Sequence, residues 1–258
     1  MERYDMLIID GNNLLHRELS NDNKFTGEHS IRMLYNRMAT EPDTVVWVWD
    51  GYNSRKKRQA IYPEYKNHRA EKSEDIYAMF KLFGELLDCT SVIQINVPEW
   101  EADDVIYTLA KYYNKEGVSA TINTNDADYL QIPNVSLPCV TKPSFPYHYV
   151  IAYKALCGDR IDNIPGMPRF GDGTWSNMAA HWDTIDQCLK TGDWDTWQKI
   201  PWPNRNRACL ERENFDNCVM YHSIIKMIDV PLSEIEANIS VGVANPQAAE
   251  SLMSVYML

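Results

Sequence analysis

Short apolar runs that each end in an acidic residue constrain the fold of this chain more than any other feature. Residues 6–9 end at Asp10, and residues 45–49 end at Asp50. Both runs are nearly continuous in aliphatic and aromatic side chains, which is typical of strands buried on both faces of a parallel sheet. Between them, residues 29–38 repeat apolar side chains at helical spacing. The sequence therefore predicts a βαβ unit.

The following segments continue the alternation of strands and helices. We expect strands at 5–10, 44–50, 91–97, 118–123 and 134–140, and helices at 73–89 and 99–114. After residue 148 the pattern changes to a helix at 148–158, a turn-rich connector to residue 166, and several further helices. We therefore predict a mostly parallel α/β domain over 1–150 and a helical lobe over 151–258.

Acidic residues accumulate at the ends of these segments. In parallel sheets ligands bind beyond the carboxyl ends of the strands, and packed carboxylates cannot all stay ionised without cations. Hard divalent ions such as Mg²⁺ prefer oxygen ligands, and two of them about 4 Å apart support hydrolysis of a phosphodiester. The sequence therefore predicts a divalent-metal centre. Its candidate ligands are Asp10, Asp50, Glu101, Asp103, Asp104, Asp126, Asp128, Asp159 and Asp162.

Charge and composition narrow the function classes. The net charge is −11, but residues 51–72 carry seven basic and two acidic side chains, a local excess of five positive charges. Such a basic stretch favours phosphate binding despite the acidic total. The six cysteines fit neither a zinc site nor a disulfide framework, which favours a reducing compartment. No apolar run is long enough to span a bilayer, so no membrane partner is expected.

Six ordered motifs resemble the 5′-nuclease family, which includes flap endonucleases, phage 5′-exonucleases and the 5′-nuclease domain of bacterial DNA polymerase I. The resemblance covers roughly residues 5–180. Residues 101–104 match the family's E-A-D-D element, and residues 62–69 match its P-x-Y-K-x-x-R element. The other motifs are residues 8–12, 49–51, 125–128 and 158–166. The resemblance implies a PIN-like domain, a helical arch at about 51–90, and a C-terminal lobe with a divergent helix-hairpin-helix.

The same resemblance implies roles for the matching residues. One ion would be held by Asp10, Asp50, Glu101 and Asp103; the other by Asp126, Asp128, Asp159 and Asp162, with Asp104 between them. Lys66 and Arg69 would lie on one face of a helix and stabilise charge on the scissile phosphate. Non-specific DNA contacts would come from Arg55, Lys56, Lys57, Arg58 and Lys72. Tyr65 would stack on a terminal base, with ordinary packing as its alternative.

The match weakens after Gly166. Gly166 and Gly171 agree with the family's helix-hairpin-helix, but Arg169 stands where a glycine is usual. We therefore expect phosphate contacts at Gly166, Arg169 and Gly171, while the departure at Arg169 disfavours a potassium site. The tryptophans that crowd residues 175–202 are more typical of a core than of a binding surface.

The leading hypothesis is a Mg²⁺-dependent nuclease, with Mn²⁺ as a substitute, that acts on DNA with a free 5′ end, flap or single-strand/duplex junction. Replication proteins are expected as partners and the cytoplasm of a bacterial cell or phage-infected host as the location. A binding protein of the same fold would require loss of an acid or of the Lys66–Arg69 pair. A PIN-like ribonuclease would not be expected to carry all six motifs, and Asn12 disfavours a phosphatase built around Asp10.

Overall fold

A central five-stranded sheet organises the computed structural model, which describes residues 6–20, 27–41, 44–69 and 73–256. The strands are β1 (Met6–Asp10), β2 (Val45–Trp49), β3 (Ile93–Asn96), β4 (Ala120–Asn123) and β5 (Ile239–Val241). Their order across the sheet is β4-β1-β2-β3-β5. The first four strands pair in parallel and β5 pairs antiparallel with β3. The prediction of a mostly parallel α/β fold is confirmed.

Register brings the carboxyl ends of the inner strands to one level. Asp10 pairs with Val48 of β2, and Ile9 pairs with Asn123 of β4. The side chains of β1 and β4 are buried throughout, which explains why β1 is apolar up to Asp10. In β4 the polar side chains of Thr121 and Asn123 are buried as well. Acidic residues that follow these strands therefore emerge at the same edge of the sheet.

Helices cover both faces of the sheet and form a separate lobe. Those of the sheet domain are α1 (Gly11–Ser20), α2 (Gly27–Thr40), α3 (Lys56–Ile61), α4 (Glu74–Leu87) and α5 (Ala102–Lys115). They are followed by α6 (Val150–Cys157), α7 (Asp172–Asn177), α8 (Trp182–Thr191), α9 (Trp194–Trp197), α10 (Arg212–Ile225), α11 (Leu232–Glu236) and α12 (Pro246–Tyr256). No helix in the described ranges is long and apolar enough to cross a bilayer.

The expected strand at 134–140 is wrong. Within the described residues this segment makes a single isolated bridge, in which Ser136 pairs with Thr121 of β4. Pro138 interrupts the segment and offers no backbone N–H for further pairing. The fifth strand is instead β5, which is only three residues long and therefore gave no recognisable pattern in the sequence.

The tail of the chain departs from the predicted division at residue 150. The core of the helical lobe contains Trp175 and Trp197, both essentially inaccessible to solvent, so the expectation that they are core residues is confirmed. Beyond α10 the chain returns to the sheet domain, because Ile235 packs in the core beneath α5 and Met253 packs in the core beneath α4. Residues 227–256 therefore pack with the sheet domain rather than with the lobe.

Candidate metal centre

The strand-end acids lie where parallel-sheet geometry puts them. Asp10 ends β1, and Asp50 directly follows β2. The backbone N–H of Ala102 donates to Asp50 Oδ1 at 2.9 Å, and Asn12 Nδ2 donates to Asp50 Oδ2 at 2.9 Å. Asp50 thus connects the end of one strand to the first turn of α5, where the helix dipole favours a carboxylate.

Three acids at the start of α5 form what we call the first acid cluster: Glu101, Asp103 and Asp104. Oxygens of the three carboxylates lie within 4.8 Å of one another. Glu101 is the N-cap residue with extended backbone, and Asp103 and Asp104 follow in the first helical turn. Consecutive positions around a helix start therefore aim all three side chains into one volume.

Arg58 is buried among these acids. Its guanidinium donates to Glu101 Oε2 at 2.6 Å, to Asp104 Oδ2 at 2.7 Å and to Asp104 Oδ1 at 2.8 Å, and it also donates to the carbonyl of Ile224 at 2.7 Å. Only 3 % of Arg58 is exposed. The expectation that Arg58 contacts DNA is therefore corrected, because this guanidinium is a buried link between α3, α5 and the end of α10.

Asp104 also differs from its expected place between two ions. Both of its carboxylate oxygens accept from Arg58, and Oδ1 accepts in addition from the backbone N–H of Ile228 at 2.8 Å. These three donors hold Asp104 in a structural network at the junction with the tail.

Lys66 and Tyr65 face the same acids. Lys66 Nζ lies 2.7 Å from Glu101 Oε1 and 3.5 Å from Asp162 Oδ1. The Tyr65 hydroxyl donates to Glu101 Oε2 at 3.1 Å, and 1 % of this residue is exposed. The packing alternative is therefore correct for Tyr65, and the stacking role is wrong in this structure.

Arg69 and Lys66 both lie near Asp162, but they are not on one helix. Residues 63–68 form consecutive turns, and Lys66 has a positive φ of 52°. Arg69 Nη2 lies 3.1 Å from Asp162 Oδ1, so the two basic side chains converge on one carboxylate. The expected helix is wrong, and both basic side chains lie beside acids. Their contact with a scissile phosphate stays a prediction.

The remaining predicted DNA contacts divide by exposure. Lys56 is exposed and Arg55 is half-buried. Lys57 donates to the carbonyl of Glu99 at 2.9 Å and lies over the ring of Trp100. Lys72 lies outside the described residues.

What we call the second acid cluster consists of Asp128, Asp159 and Asp162, whose oxygens also lie within 4.8 Å of one another. Asp128 follows β4 in a 3₁₀ turn, and the other two come from the connector after α6. Lys154 of α6 reaches into this cluster. Its Nζ lies 2.5 Å from Asp128 Oδ1 and 2.8 Å from Asp159 Oδ2.

Asp10 and Asp126 lie close to the second acid cluster. Asp10 Oδ2 accepts from the hydroxyls of Thr124 and Tyr129, each at 3.2 Å. Asp126 Oδ1 accepts from the backbone N–H of Asp128 at 2.9 Å, which makes Asp126 the cap of the 3₁₀ turn. The negative charge of Asp126 also acts on Asp10 and Asp128.

Burial of so many acids changes their protonation. Burial, with the charges of Asp50 and Asp126, raises the pKa of Asp10 to about 7. Burial, with the charge of Asp126, raises the pKa of Asp128 to about 7, although Lys154 opposes the shift. Burial also raises the pKa of Asp103 well above its usual range, and the Asp104 and Glu101 charges act in the same direction.

Basic neighbours reverse this effect at Glu101. Burial alone would raise its pKa, but Lys66 and Arg58 lower the pKa to about 2. Burial likewise opposes the positive charge of Lys154, yet Asp128, Asp126 and Asp159 raise the pKa of its ammonium above the ordinary lysine value. The site therefore contains ionised acids beside basic groups and acids that retain protons in the absence of a cation.

This donor set fits divalent ions with oxygen ligands. Among the described residues, no hydrogen-bond donor reaches the buried oxygen Oδ1 of Asp103. Together with the raised pKa values of Asp10, Asp103 and Asp128, this oxygen indicates negative charge for which a cation is the natural partner.

Sequence reasoning missed Tyr129 and Lys154. Tyr129 is fully buried with its hydroxyl on Asp10, and it directly follows the D-x-D motif. Lys154 is the single charged residue of an otherwise apolar helix, five positions before Asp159. A lone lysine at that position was a usable signal, because a buried ammonium requires acidic partners.

The connector after α6 holds its shape through glycine. Gly166 has a φ of +71°, and a Cβ there would lie 2.5 Å from the backbone nitrogen of Gly158. Arg169 is exposed with a φ of +59°, and Gly171 precedes α7 with open space around it. Gly166 therefore has a packing role, while phosphate contacts at Gly166, Arg169 and Gly171 stay predictions.

Comparison with known proteins identifies the class to which this fold and site belong. The family model described as "5′-3′ exonuclease, N-terminal resolvase-like domain" matches residues 5–149. The chain belongs to this 5′-3′ exonuclease family, as the six motifs indicated.

Two relatives are similar over most of the chain. DNA polymerase I of Thermus filiformis is 30 % identical over 209 residues, which are 73 % of this chain and 25 % of the polymerase. The 5′-3′ exonuclease of Aquifex aeolicus (strain VF5) is 26 % identical over 227 residues, which are 81 % of this chain and 74 % of the exonuclease. The chain thus spans about a quarter of the polymerase relative.

Solved structures of bacteriophage T5 proteins share the fold. The T5 5′-exonuclease with bound zinc has a TM-score of 0.60 at 17 % identity, with 98 % of each chain covered. A T5 D15 flap endonuclease variant in a pseudo-enzyme–product complex with DNA and metal ions has a TM-score of 0.52 at 18 % identity, with 98 % of this chain and 97 % of that chain covered.

Proposed function

We propose that this chain hydrolyses DNA phosphodiester bonds at or near a 5′ end, with two divalent ions at the carboxyl edge of the sheet. The observation that carries the proposal is the presence of two acid clusters beside the strand-end acids, with a buried oxygen of Asp103 that accepts no hydrogen bond from the described residues. Family membership and the metal- and DNA-bound T5 structures support it.

The acids would divide the work of holding the ions. Asp10, Asp50 and Asp103 would hold one ion, while Asp126, Asp128, Asp159 and Asp162 would hold or support the other. Glu101 is bound by Arg58 and Lys66, so it would keep those side chains oriented as well as offer an oxygen to an ion. The two ions, when bound, would activate a water and stabilise the leaving oxygen; we propose Mg²⁺, with Mn²⁺ as a substitute.

Basic side chains beside the acids would receive the DNA. Lys66 and Arg69 meet at Asp162, so a phosphate placed there would find two cations next to the acids. Arg69 has 35 % of its side chain exposed and Lys56 is exposed, which lets both reach the backbone of a strand. These contacts would be independent of base sequence and would weaken with salt.

A 5′-labelled flap duplex and a blunt duplex, each with Mg²⁺ or EDTA, test this function. Asp126→Asn is the informative variant, because the amide keeps the oxygen that caps the 3₁₀ turn and removes the charge. Asp195→Asn, an exposed position in α9, is the matched control. Mg²⁺-dependent product from the wild type and the control, reduced in Asp126→Asn, supports the proposal, and product length separates exonucleolytic from flap cleavage.

Two outcomes of the same experiment would contradict the proposed function. Binding of the flap duplex without product in either Mg²⁺ or Mn²⁺ would leave a DNA-binding protein of the same fold. Cleavage of the RNA version of the flap in preference to DNA would instead favour a ribonuclease.

A further inference from the structure

Lys154 lies among three carboxylates, those of Asp128 and Asp159 in the second acid cluster and that of Asp126 beside it. Its Nζ lies 2.5 Å from Asp128 Oδ1, 2.8 Å from Asp159 Oδ2 and 3.9 Å from Asp126 Oδ1. The side chain projects from α6 between the β4 edge and the connector that carries Asp159, and 14 % of it is exposed. The ammonium is therefore a resident cation at the point where the three acids converge.

Lys154 pairs with one oxygen of Asp128 and one oxygen of Asp159. Asp159 Oδ1 already accepts from the backbone N–H of Ile161 at 2.8 Å, which leaves Oδ2 facing Lys154. A magnesium ion binds carboxylate oxygens at about 2.1 Å. An ammonium in contact with Asp128 and Asp159 fills the volume that such an ion needs, so the two cannot share these oxygens at the same time.

Lys154 is also attached differently from Arg58. Arg58 donates to a backbone carbonyl as well as to acids, so its position is fixed from two sides. Within the described ranges, the ion pairs of Lys154 are all with acids of this site. A lysine ammonium on a flexible four-carbon stem can leave such partners without breaking a backbone contact.

On the basis of the proposed function, we propose that Lys154 is a built-in competitor of one divalent ion. Its ammonium holds Asp128 and Asp159 together in the metal-free protein and leaves them when the ion binds. The competition keeps that ion's affinity below what the carboxylates alone would give, because binding includes the loss of charge-assisted hydrogen bonds. Removal of the ammonium is expected to tighten the weaker ion about tenfold.

Mn²⁺ binding to the full chain without DNA tests this competition. Calorimetry and the paramagnetic resonance of unbound Mn²⁺ give the number of ions and each affinity for the wild type, Lys154→Met and Lys154→Arg. Lys199→Met, which alters an exposed lysine away from the acids, is the matched control. Thermal unfolding in EDTA and in Mn²⁺ gives a second measure that is independent of activity.

The expected pattern is specific to loss of charge at position 154. Lys154→Met should bind the weaker Mn²⁺ about tenfold more tightly, with the tighter ion unchanged. The same variant should unfold at lower temperature than the wild type in EDTA and gain more from Mn²⁺. Lys154→Arg and Lys199→Met should show no gain in affinity.

Two results would overturn the proposal. One is an unchanged or weaker second affinity in folded Lys154→Met, and the other is a single bound Mn²⁺ in both the wild type and this variant. Cleavage of the flap duplex by the wild type is measured separately. Two ions with the expected Lys154→Met effect but no cleavage would refute the proposed function alone, whereas cleavage without that effect would refute the competition alone.

Discussion

The two acid clusters lie in one site but are neutralised in different ways. In the first, Arg58 is almost inaccessible and binds Glu101, Asp104 and a backbone carbonyl of α10. In the second, Lys154 is partly exposed and its ion pairs are with Asp126, Asp128 and Asp159. One cation is therefore part of the framework, and the other can be exchanged.

This difference separates acids that look equivalent in the sequence. Asp103 and Asp104 are neighbours in the same motif, yet Asp104 accepts hydrogen bonds from Arg58 and Ile228. Oδ1 of Asp103 accepts no hydrogen bond from the described residues and lies 4.0 Å from Arg58 Nη1. Within one motif, one carboxylate therefore stabilises the fold and the next is available to a cation.

Removal of Arg58 should cause the largest loss of stability. Arg58→Met leaves Glu101 and Asp104 buried without their partner, so we expect the free energy of unfolding to fall by about 3–5 kcal/mol. Urea denaturation measures the change. The control is Lys56→Met, because Lys56 lies two residues before Arg58 in α3 and is exposed. This variant should change stability by less than about 0.5 kcal/mol. A loss at Arg58 no larger than that of the control would contradict a framework role.

Substitution of an acid in the second cluster should affect chemistry rather than folding. We expect Asp128→Asn to lower cleavage of the flap duplex at least about a hundredfold, because the variant loses a charged oxygen for the ion. Its unfolding free energy should fall by less than that of Asp104→Asn, which loses charge beside Arg58. Steady-state kinetics and denaturation of both variants measure this, and the reverse order of stabilities would refute the division.

The raised pKa values of Asp10 and Asp128, both about 7, make metal binding dependent on pH. Between the ordinary aspartate value and about 7, the folded metal-free protein binds more protons than the unfolded chain, so these two groups lower its stability as pH rises through that window. Divalent ions bind the ionised form, and Mn²⁺ affinity should rise about tenfold or more from pH 6 to pH 8. Calorimetry in two buffers of different ionisation enthalpy measures the released protons; no proton release would contradict the shifts.

Tyr65→Phe should give the smallest effect. The variant keeps the buried ring and loses the hydrogen bond to Glu101, so we expect about 1 kcal/mol less stability. Affinity for DNA should be unchanged, because the ring is inaccessible to a base. DNA affinity is measured by fluorescence anisotropy. Weaker DNA binding at unchanged stability would contradict the packing role and support base stacking by Tyr65.

The sequence predicted the parallel sheet and the convergence of acids because both depend on local pattern and on a general property of such sheets. Arg58 was misassigned because it lies in a basic run that suggests a solvated surface, while its partners at Glu101 and Asp104 are more than 40 positions away along the chain. Lys154 was missed for the complementary reason, since its helix contains no other charge to draw attention to it. Long-range ion pairing, rather than composition, decided both positions.

The segment after β4 and the tail show a second limit of sequence reasoning. Residues 134–140 have strand-like composition but make one bridge, whereas residues 239–241 form a strand through pairing with β3. Such a short strand depends on tertiary contact, which neither periodicity nor propensity reveals. The same applies to α12, whose packing against α4 places the tail with the sheet domain.

Crystals of the protein grown with Mn²⁺ and measured at the manganese absorption edge would test the central division most directly. We expect an anomalous peak between Asp128 and Asp159, with Lys154 withdrawn from both and Arg58 still bound to Asp104. Lys154 retained on Asp128 and Asp159 without a peak there, or an ion bound to Asp104 in place of Arg58, would contradict this expectation.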